Sequence, residues 1–249
     1  MELLFGERCD EVNDKIRLIQ KTEGLTFGTD ALLLAGYIGE GARSAIELGG
    51  GTGIISMLVH TRGKAAHIDC VEVQEAYAEL IKRNLALNSL DAHINVIAKD
   101  LRELSLSGEY DLVFSNPPYM KTDAGKGNLS DFKNIARREI KGDIFDFCRA
   151  ASRAVKYGGN CAFVYRADRL CDLISAMREF SIEPKRLTTV HADFSSLPSM
   201  VLVEGRRGGG VSLKLTRPFF IYSSPEHTSY SEDMNYVMEN GSFPKEFYL

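Results

Sequence analysis

A glycine-rich stretch from Ser44 to Gly53, Ser-Ala-Ile-Glu-Leu-Gly-Gly-Gly-Thr-Gly, constrains the fold of this 249-residue chain more than any other feature. The apolar residues before the glycines predict a short buried strand, and the apolar run from Ile54 to His60 predicts a helix. Glycines between them allow the chain to turn sharply and allow a ligand to lie against the backbone. Strand, glycine turn and helix together indicate the opening of a nucleotide-binding α/β unit.

The spacing of the glycines distinguishes two kinds of ligand. A dinucleotide fingerprint that begins at Gly49 requires a glycine where this chain has Ile54. The chain instead has E-x-G-x-G-x-G, formed by Glu47, Gly49, Gly51 and Gly53. A carboxylate is unfavourable beside a pyrophosphate at a helix N-terminus, but it suits a ligand with an amino group and a sulfonium. The pattern favours S-adenosylmethionine over NAD, and a tight turn without a ligand is the alternative.

Composition and charge set outer limits on function. The chain carries a net charge of −4, so we do not expect it to bind nucleic acid by bulk charge. Two segments are locally basic: residues 121–141 hold six basic against three acidic residues, and residues 204–217 hold four against one. Such patches could follow a phosphate backbone, although solvated loops have the same composition. No apolar run approaches the ~18 residues that a membrane span needs.

The cysteines and histidines indicate a reducing compartment and no metal centre. Five cysteines without a C-x-x-C pair are typical of free thiols. Five histidines are scattered without the spacing of metal ligands. The acidic N-terminus lacks the apolar core of a signal peptide, so we expect a cytoplasmic protein.

Two further acids follow predicted strands, where ligands bind in α/β sheets. Glu72 lies 19 residues after Gly53, a position at which a carboxylate accepts hydrogen bonds from ribose hydroxyls, and Val73 follows it. Asp100 follows the next strand and is placed to hold the exocyclic amine of an adenine, with Leu101 near the ring. The structural alternatives are a surface acid for Glu72 and a turn residue for Asp100.

The tetrapeptide Asn116-Pro117-Pro118-Tyr119 follows a fourth predicted strand, Tyr110 to Ser115. Its prolines fix the backbone and lack N–H donors, so carbonyl acceptors are left exposed. Asn116 adds a side-chain carbonyl and Tyr119 adds a flat aromatic face. This combination suits a planar group that carries an NH2, either an adenine or a carboxamide. We expect a catalytic corner in which Asn116, Pro117 and Tyr119 act directly.

Hydrophobic periodicity predicts alternating strands and helices along the rest of the chain. Strands are expected at residues 15–20, 45–48, 67–73, 93–98, 110–115, 161–165, 185–191, 199–204 and 211–215, and helices at 31–38, 54–60, 75–88, 143–155, 169–180 and 232–238. A turn is expected at 156–160, and the strands at 185–191 and 199–204 are expected to pair antiparallel. Thr29 or Asp30 suits the cap of the first helix, but this segment could instead close over a cofactor.

These motifs, from Glu47 to Gly53 through Glu72 and Asp100 to Asn116–Tyr119, resemble class I S-adenosylmethionine-dependent methyltransferases that methylate amino nitrogens. Over most of its length the chain is similar to the bacterial valine-tRNA adenine-N6 methyltransferase family, which modifies the adenine just 3′ of the anticodon. This wider similarity includes the segments Phe27–Ala35, Ala136–Glu139, Val164–Arg166, Pro184–His191 and Val201–Gly205.

The resemblance implies an α/β fold: a Rossmann-like, seven-stranded mixed sheet with helices on both faces and a β-hairpin at one edge. It implies a single domain over residues 1–249, with a cofactor-covering segment at 1–40, a catalytic core at 41–217 and a C-terminal tail at 218–249. S-adenosylmethionine would be the cofactor and S-adenosylhomocysteine its product. The partner would be RNA, in particular a tRNA anticodon loop, and neither a metal nor a membrane is expected.

The resemblance also implies which residues form the site. The cofactor would be bound by Phe27, Thr29, Asp30, Glu47, Gly49, Gly51, Gly53, Glu72, Val73, Asp100, Leu101 and Asn116. The substrate would contact Tyr119, Lys121, Lys126, Arg137 and Arg138. An exposed ion pair between Arg138 and Glu139 is the structural alternative for that arginine.

Three other functions stay open. A protein glutamine-N5 methyltransferase is one, because a carboxamide fits the same acceptors. Only 46 residues precede Glu47, however, whereas such families carry a sizeable helical domain there. Another RNA amino-group methyltransferase is the second. A cofactor-binding RNA chaperone without catalysis is the third, and the intact Asn116 and Tyr119 count against it.

Overall fold

The computed structural model describes residues 3–23, 27–118 and 142–248, and most of these residues surround one nine-stranded sheet. The strands of this sheet are β3 (Ala42–Leu48), β4 (Ala65–Glu72), β5 (Ile94–Ala98), β6 (Tyr110–Ser115), β7 (Val155–Arg166), β8 (Ile182–His191), β9 (Pro198–Arg207), β10 (Lys214–Leu215) and β11 (Phe219–Phe220). A separate small sheet pairs β1 (Glu7–Glu11) with β2 (Arg17–Lys21). Across the main sheet the order is β5-β4-β3-β6-β7-β9-β8-β10, and β11 also pairs with β8.

The direction of the strands places the segments that follow them at one edge. Strands β3 to β7 are parallel, whereas β9 is antiparallel to both β7 and β8. The order of the strands reverses between β3 and β6, and ligands bind beside such a reversal in open α/β sheets. The antiparallel pair predicted near the end of the chain is confirmed as β8 and β9. Seven longer strands form the predicted mixed sheet, and β10 and β11 extend it.

Helices cover both faces of the sheet. They are α1 (Thr29–Tyr37), α2 (Ile54–Thr61), α3 (Glu75–Leu87), α4 (Ile144–Ala154), α5 (Leu170–Glu179) and α6 (Glu232–Asn240). Buried apolar side chains of α1, α2, α3 and α6 form one core with the sheet, and those of α4 and α5 form a second. The predicted α/β architecture is therefore confirmed. Among the described helices, none combines the length and the apolar character needed to cross a bilayer.

The C-terminal residues from β11 onward belong to the first core. Phe219, Val237 and Phe247 have no exposed surface, and Phe243 is almost fully buried. The rings of Phe219 and Phe243 lie 4.8 Å apart. The helix expected at 232–238 is confirmed as α6. The division of the chain into three segments stays a prediction.

The turn predicted at 156–160 is wrong, because these residues lie within β7. The pairing of β7 with β6 shifts from Tyr110–Val155 to Leu112–Asn160, so extra residues bulge from the strand. Gly158, with a φ of +79°, accommodates the bulge, and a glycine-rich bulge resembles a turn in sequence. Strand β1 was not predicted, and β10 is shorter than the strand expected at 211–215.

The predicted cap of the first helix is also wrong. Gly28 occupies the N-cap position of α1 in an extended conformation, and no side chain caps the helix there. Thr29 and Asp30 instead lie in the first turn. The carboxylate of Asp30 is favourably placed for the helix dipole, and it is left to contact another part of the chain.

Candidate functional site

The glycine turn follows β3 and leads into α2. Gly49, Gly51 and Gly53 have φ values of 79°, 57° and 81°, in the left-handed region that favours glycine. At Gly53 a Cβ would lie 2.8 Å from the side chain of Ile81 on α3, whereas at Gly51 it would meet nothing within 4 Å. The turn is therefore packed against α3 at one point and open at another, where a ligand can approach the backbone.

The side chain of Glu47, near the end of β3, is buried against the glycine turn and α2. Its fully buried carboxylate accepts hydrogen bonds from the N–H of Ser56, at 3.0 Å, and from the Ser56 hydroxyl in the first turn of α2. Burial raises the pKa of Glu47 to about 8, because the charged form loses its hydration there. Glu47 thus joins the end of β3 to the first turn of α2, and it does not line the cavity described next. Its predicted contact with the cofactor stays a prediction.

A cavity of about 580 Å³ opens beside the glycine turn at the carboxyl edge of the sheet. Seven of the predicted cofactor residues line it: Gly49, Gly51, Glu72, Val73, Asp100, Leu101 and Asn116. Five further lining residues were not predicted as cofactor contacts: Val71, Gln74, Lys99, Pro118 and Phe147.

Glu72 is held in the cavity wall by backbone donors. One carboxylate oxygen accepts the N–H of Gly51 at 2.9 Å, and the other accepts the N–H of Gln74 at 2.9 Å. The residue is only 5% exposed, so these bonds fix its orientation. The oxygen that accepts the Gln74 N–H also accepts from the Gln74 side-chain NH2 at 3.2 Å. One of the four lone pairs is left to accept a hydroxyl, and a second hydroxyl would take the place of the Gln74 side chain. A ribose is the group that such a carboxylate suits.

Asp100 and its neighbours form another part of the wall. The Asp100 carboxylate accepts the N–H of Arg102 and its guanidinium Nε–H, both at 2.9 Å, and these bonds hold its pKa below the usual range. Asp100 therefore stays an anionic acceptor. Leu101 and Phe147 are almost completely buried and present apolar surface to the same cavity. An acceptor beside apolar walls suits an aromatic base with an amino group.

The corner after β6 is tied to two other elements. The Ser115 hydroxyl donates to the carbonyl oxygen of Leu48 at 2.6 Å, which joins the end of β6 to the end of β3. The Asn116 side-chain NH2 donates to the Asp30 carboxylate at 2.8 Å. Because a carboxylate only accepts, the amide nitrogen of Asn116 must face Asp30, and its amide oxygen is turned to the other side. Asp30 thus sets the orientation of Asn116.

A second cavity, of about 490 Å³, lies on the other side of Asp30. It is lined by Thr29, Asp30, Arg166, Ser199, Met200 and Ile221. Thr29 and Asp30 were predicted to bind the cofactor, but the structure places them in this second cavity. Phe27 and Gly53 line neither of the two cavities, and the N–H of Phe27 donates to the Gln20 side chain at 2.8 Å.

Several predicted residues lie outside the described part of the chain. These are Tyr119 of the catalytic corner and the substrate residues Lys121, Lys126, Arg137 and Arg138. Their roles stay predictions. Pro117 is described and follows Asn116 at the corner, and the first cavity is lined by Pro118 rather than by Pro117.

Comparison with known proteins identifies similar sequences and folds. The family described as "Methyltransferase small domain" matches residues 23–168. The tRNA1(Val) (adenine(37)-N6)-methyltransferase of Porphyromonas gingivalis is 27% identical over 225 residues, which cover 84% of this chain and 88% of that protein. The protein of the same name from Aliivibrio fischeri is 23% identical and covers 80% of this chain and 92% of that protein.

A solved structure shares the fold. The crystal structure of a predicted O-methyltransferase from Agrobacterium tumefaciens superimposes with a TM-score of 0.70 at 22% identity, over 86% of this chain and 98% of that one. At this identity the likeness supports the architecture of sheet and helices and does not extend to the substrate.

Proposed function

We infer the reaction from one premise, which is that the chain belongs to the methyltransferase small domain family. We propose that it transfers the methyl group of S-adenosylmethionine to the N6 amino group of an adenine in tRNA, next to the anticodon of valine tRNA. The observation that carries this proposal is the contact between Asn116, which lines the first cavity, and the Asp30 carboxylate, because it fixes the orientation of the Asn116 amide. Relatives at 22–28% identity that bear the name of this activity support it.

The residues of the first cavity suit S-adenosylmethionine. Glu72 would accept hydrogen bonds from the ribose, Asp100 from the adenine amine, and the backbone at Gly49 and Gly51 would adjoin the methionine part. The ligand supplies an electrophilic methyl group on a sulfonium. The protein has to bind that ligand, exclude water and present a nucleophile to the methyl carbon.

Replacement of Glu72 by alanine tests the cofactor site. We expect the Kd for S-adenosylmethionine to rise about 10- to 100-fold, because hydrogen bonds to a charged group are lost and the Gly51 N–H loses its acceptor. Isothermal titration calorimetry would measure it. The control is Glu79→Ala on the outer face of α3, where the side chain is 62% exposed. If both variants bind the cofactor equally well, Glu72 does not hold the ribose.

The proposed chemistry requires an acceptor pair for the amino group. The lone pair of an adenine N6 is delocalised into the ring, so it is a poor nucleophile. Hydrogen bonds from its two N–H groups to the Asn116 amide oxygen and the Pro117 carbonyl would localise that pair and aim it at the methyl carbon. As the N6–C bond forms, the S–C bond breaks and S-adenosylhomocysteine leaves, and the methylated amine releases one proton to solvent. Tyr119, by this proposal, stacks on the base. The target base leaves its stack at little cost in a single-stranded loop.

Asp30 acts, in this proposal, as a positioning residue for Asn116. In Asp30→Asn the new amide can donate as well as accept, so Asn116 loses its single orientation. We expect kcat to fall at least about 10-fold with little change in the Kd for S-adenosylmethionine. Single-turnover kinetics and calorimetry separate the two quantities. Asp91→Asn, at an exposed residue after α3, is the control, and an unchanged kcat for Asp30→Asn would exclude the positioning role.

A methyl-transfer assay tests the function as a whole. Cofactor labelled on its methyl group is offered separately with bulk tRNA, ribosomal RNA and a release factor, and the products are digested to nucleosides or amino acids. The proposal expects N6-methyladenosine from tRNA. Label in a protein glutamine would instead identify a glutamine-N5 methyltransferase.

The proposed setting is the cytoplasm, where tRNA is modified. All five cysteines are free thiols, and Cys70, Cys148 and Cys161 are buried in the cores. The proposal also treats the chain as one methyltransferase domain, in which residues 1–40 lie over the cofactor. Basic residues at Lys121, Lys126, Arg137 and Arg138 are proposed to contact RNA.

A further inference from the structure

The tip of the β8–β9 hairpin, residues 192–197, lies at the same edge of the sheet as the catalytic corner. Strand β9 is antiparallel to both β7 and β8, so β8 runs in the same direction as β6 and β7. The end of β8 at His191 therefore shares the carboxyl edge with Asn116, which follows β6. The tip and the corner therefore lie at the same edge of the sheet, with two strands between β8 and β6.

The tip is held in one conformation. Asp193 is 2% exposed and accepts hydrogen bonds from the Ser195 N–H at 2.8 Å, the Ser196 hydroxyl at 2.6 Å and His227 Nε2 at 2.8 Å. The ring of Tyr222 stacks on His227 with centroids 4.3 Å apart. Two serines of the tip and a histidine from a loop near the C-terminus thus donate to one carboxylate.

Two large apolar side chains project from this rigid tip. Phe194 is 67% exposed and Leu197 is 88% exposed. Single exposed apolar residues are common on soluble proteins and need no explanation. Here, however, the two lie within four positions of each other, and the residues between them are fixed by hydrogen bonds to Asp193. We name Phe194 and Leu197 the hairpin platform.

The hairpin platform is continuous with the catalytic corner. Met200, three residues or about 10 Å beyond Leu197, lines the second cavity and pairs with Arg166 across β9 and β7. Asp30 lines that cavity too, and its carboxylate contacts Asn116. The surface therefore runs from the corner over Asp30 and the second cavity to the platform.

We propose that the hairpin platform stacks against an unpaired base of the RNA substrate, close to the nucleotide whose adenine enters the corner. This proposal rests on the proposed function, because it requires an RNA substrate. A base that leaves its stack exposes its neighbours, and aromatic side chains bind such bases through their faces. Arg166 lies in the wall of the second cavity, and its guanidinium forms an ion pair with Asp168.

Phe194→Ala tests the platform. The expected result is a Kd for a fluorescently labelled tRNA anticodon stem-loop, and a KM for bulk tRNA, about 10-fold higher than in the wild type. The kcat and the Kd for S-adenosylmethionine should stay the same, because Phe194 contacts neither cavity. Phe194→Trp should restore RNA binding, since an aromatic face is present again. Because Phe194 is exposed, its replacement should not unfold the protein, and a melting curve of the variant checks that it is folded.

Tyr157→Ala is the matched control. Tyr157 is 82% exposed and lies near the start of β7, at the opposite edge of the sheet. RNA affinity should be unchanged in this variant. If Phe194→Ala binds and methylates RNA as well as Tyr157→Ala does, the platform proposal is overturned while the proposed function stands. If the wild-type protein neither binds nor methylates RNA, both proposals are overturned.

Discussion

Asn116→Ala is expected to lower kcat about 100- to 1000-fold while the affinity for S-adenosylmethionine stays close to that of the wild type. The side chain is held by Asp30 at 2.8 Å, so its amide oxygen is placed before any substrate arrives. In the proposed mechanism, alanine removes this oxygen, and the adenine amino group keeps only the Pro117 carbonyl as an acceptor. The loss should fall on the chemical step, which single-turnover methyl transfer to tRNA measures directly.

Two further variants make the Asn116 experiment specific. Asn95→Ala removes an asparagine that contacts Asp69 on the neighbouring strand, away from the corner, and should leave turnover unchanged. Asn116→Asp brings a second carboxylate against Asp30, and like charges at this distance disfavour ionisation of both groups. We expect Asn116→Asp to be inactive at neutral pH. Wild-type turnover in Asn116→Ala would remove Asn116 from the proposed chemistry.

Much of the fold could be predicted because local patterns and tertiary packing agree. Strand β6 matches the predicted residues 110–115, and α2 and α3 match within one residue at each end. The main wrong prediction, a turn at 156–160 within β7, has a physical cause. Glycines at 158 and 159 accommodate either a turn or a bulge, and only pairing with β6 selects the bulge. Strand β1 is mostly polar, so it carries no burial pattern to predict it.

The lining of the first cavity was predictable where a local motif forms it. Glu72, Asp100 and Asn116 each end or follow a parallel strand, and the sheet brings them to one cavity. Phe147 was not predicted because it reaches that cavity from α4, far along the chain. The only local signal is the capping box of Asp143 and Asp146, which fixes where α4 begins and hence which residues its first turn presents.

The sequence also could not predict in which direction a side chain points. The sequence predicted Glu47 as a ligand contact, and it could not show that the side chain is fully buried and bonded to Ser56. Asp30 reads as a helix cap, because the sequence cannot show that Asn116, 86 residues later, donates to it. Both cases depend on contacts between segments distant in sequence.

Arg186 connects the C-terminal residues to the rest of the fold, and its replacement should have the largest effect on stability. This residue, 5% exposed, donates to the carbonyl oxygen of Tyr37 at 2.8 Å, to that of Phe247 at 3.2 Å and to the Glu204 carboxylate at 2.9 Å. Its guanidinium carbon lies 3.8 Å from the centre of the Tyr37 ring and 4.3 Å from that of Tyr248. The Arg186 guanidinium thus contacts the end of α1, strand β9 and the last residues of the chain.

Arg186→Ala should therefore lower the free energy of unfolding by about 3 kcal/mol, because it leaves buried acceptors and a carboxylate without their donor. Urea denaturation measures the loss, and hydrogen exchange should show that α6 opens first. Lysine at 186 keeps the charge but lacks the planar fork, so it should recover only part of the stability. Arg8→Ala, which removes an exposed ion pair with Asp10, should have a much smaller effect. Equal losses in the alanine variants at 8 and 186 would mean that the C-terminal residues are held by their buried phenylalanines alone, independently of this arginine.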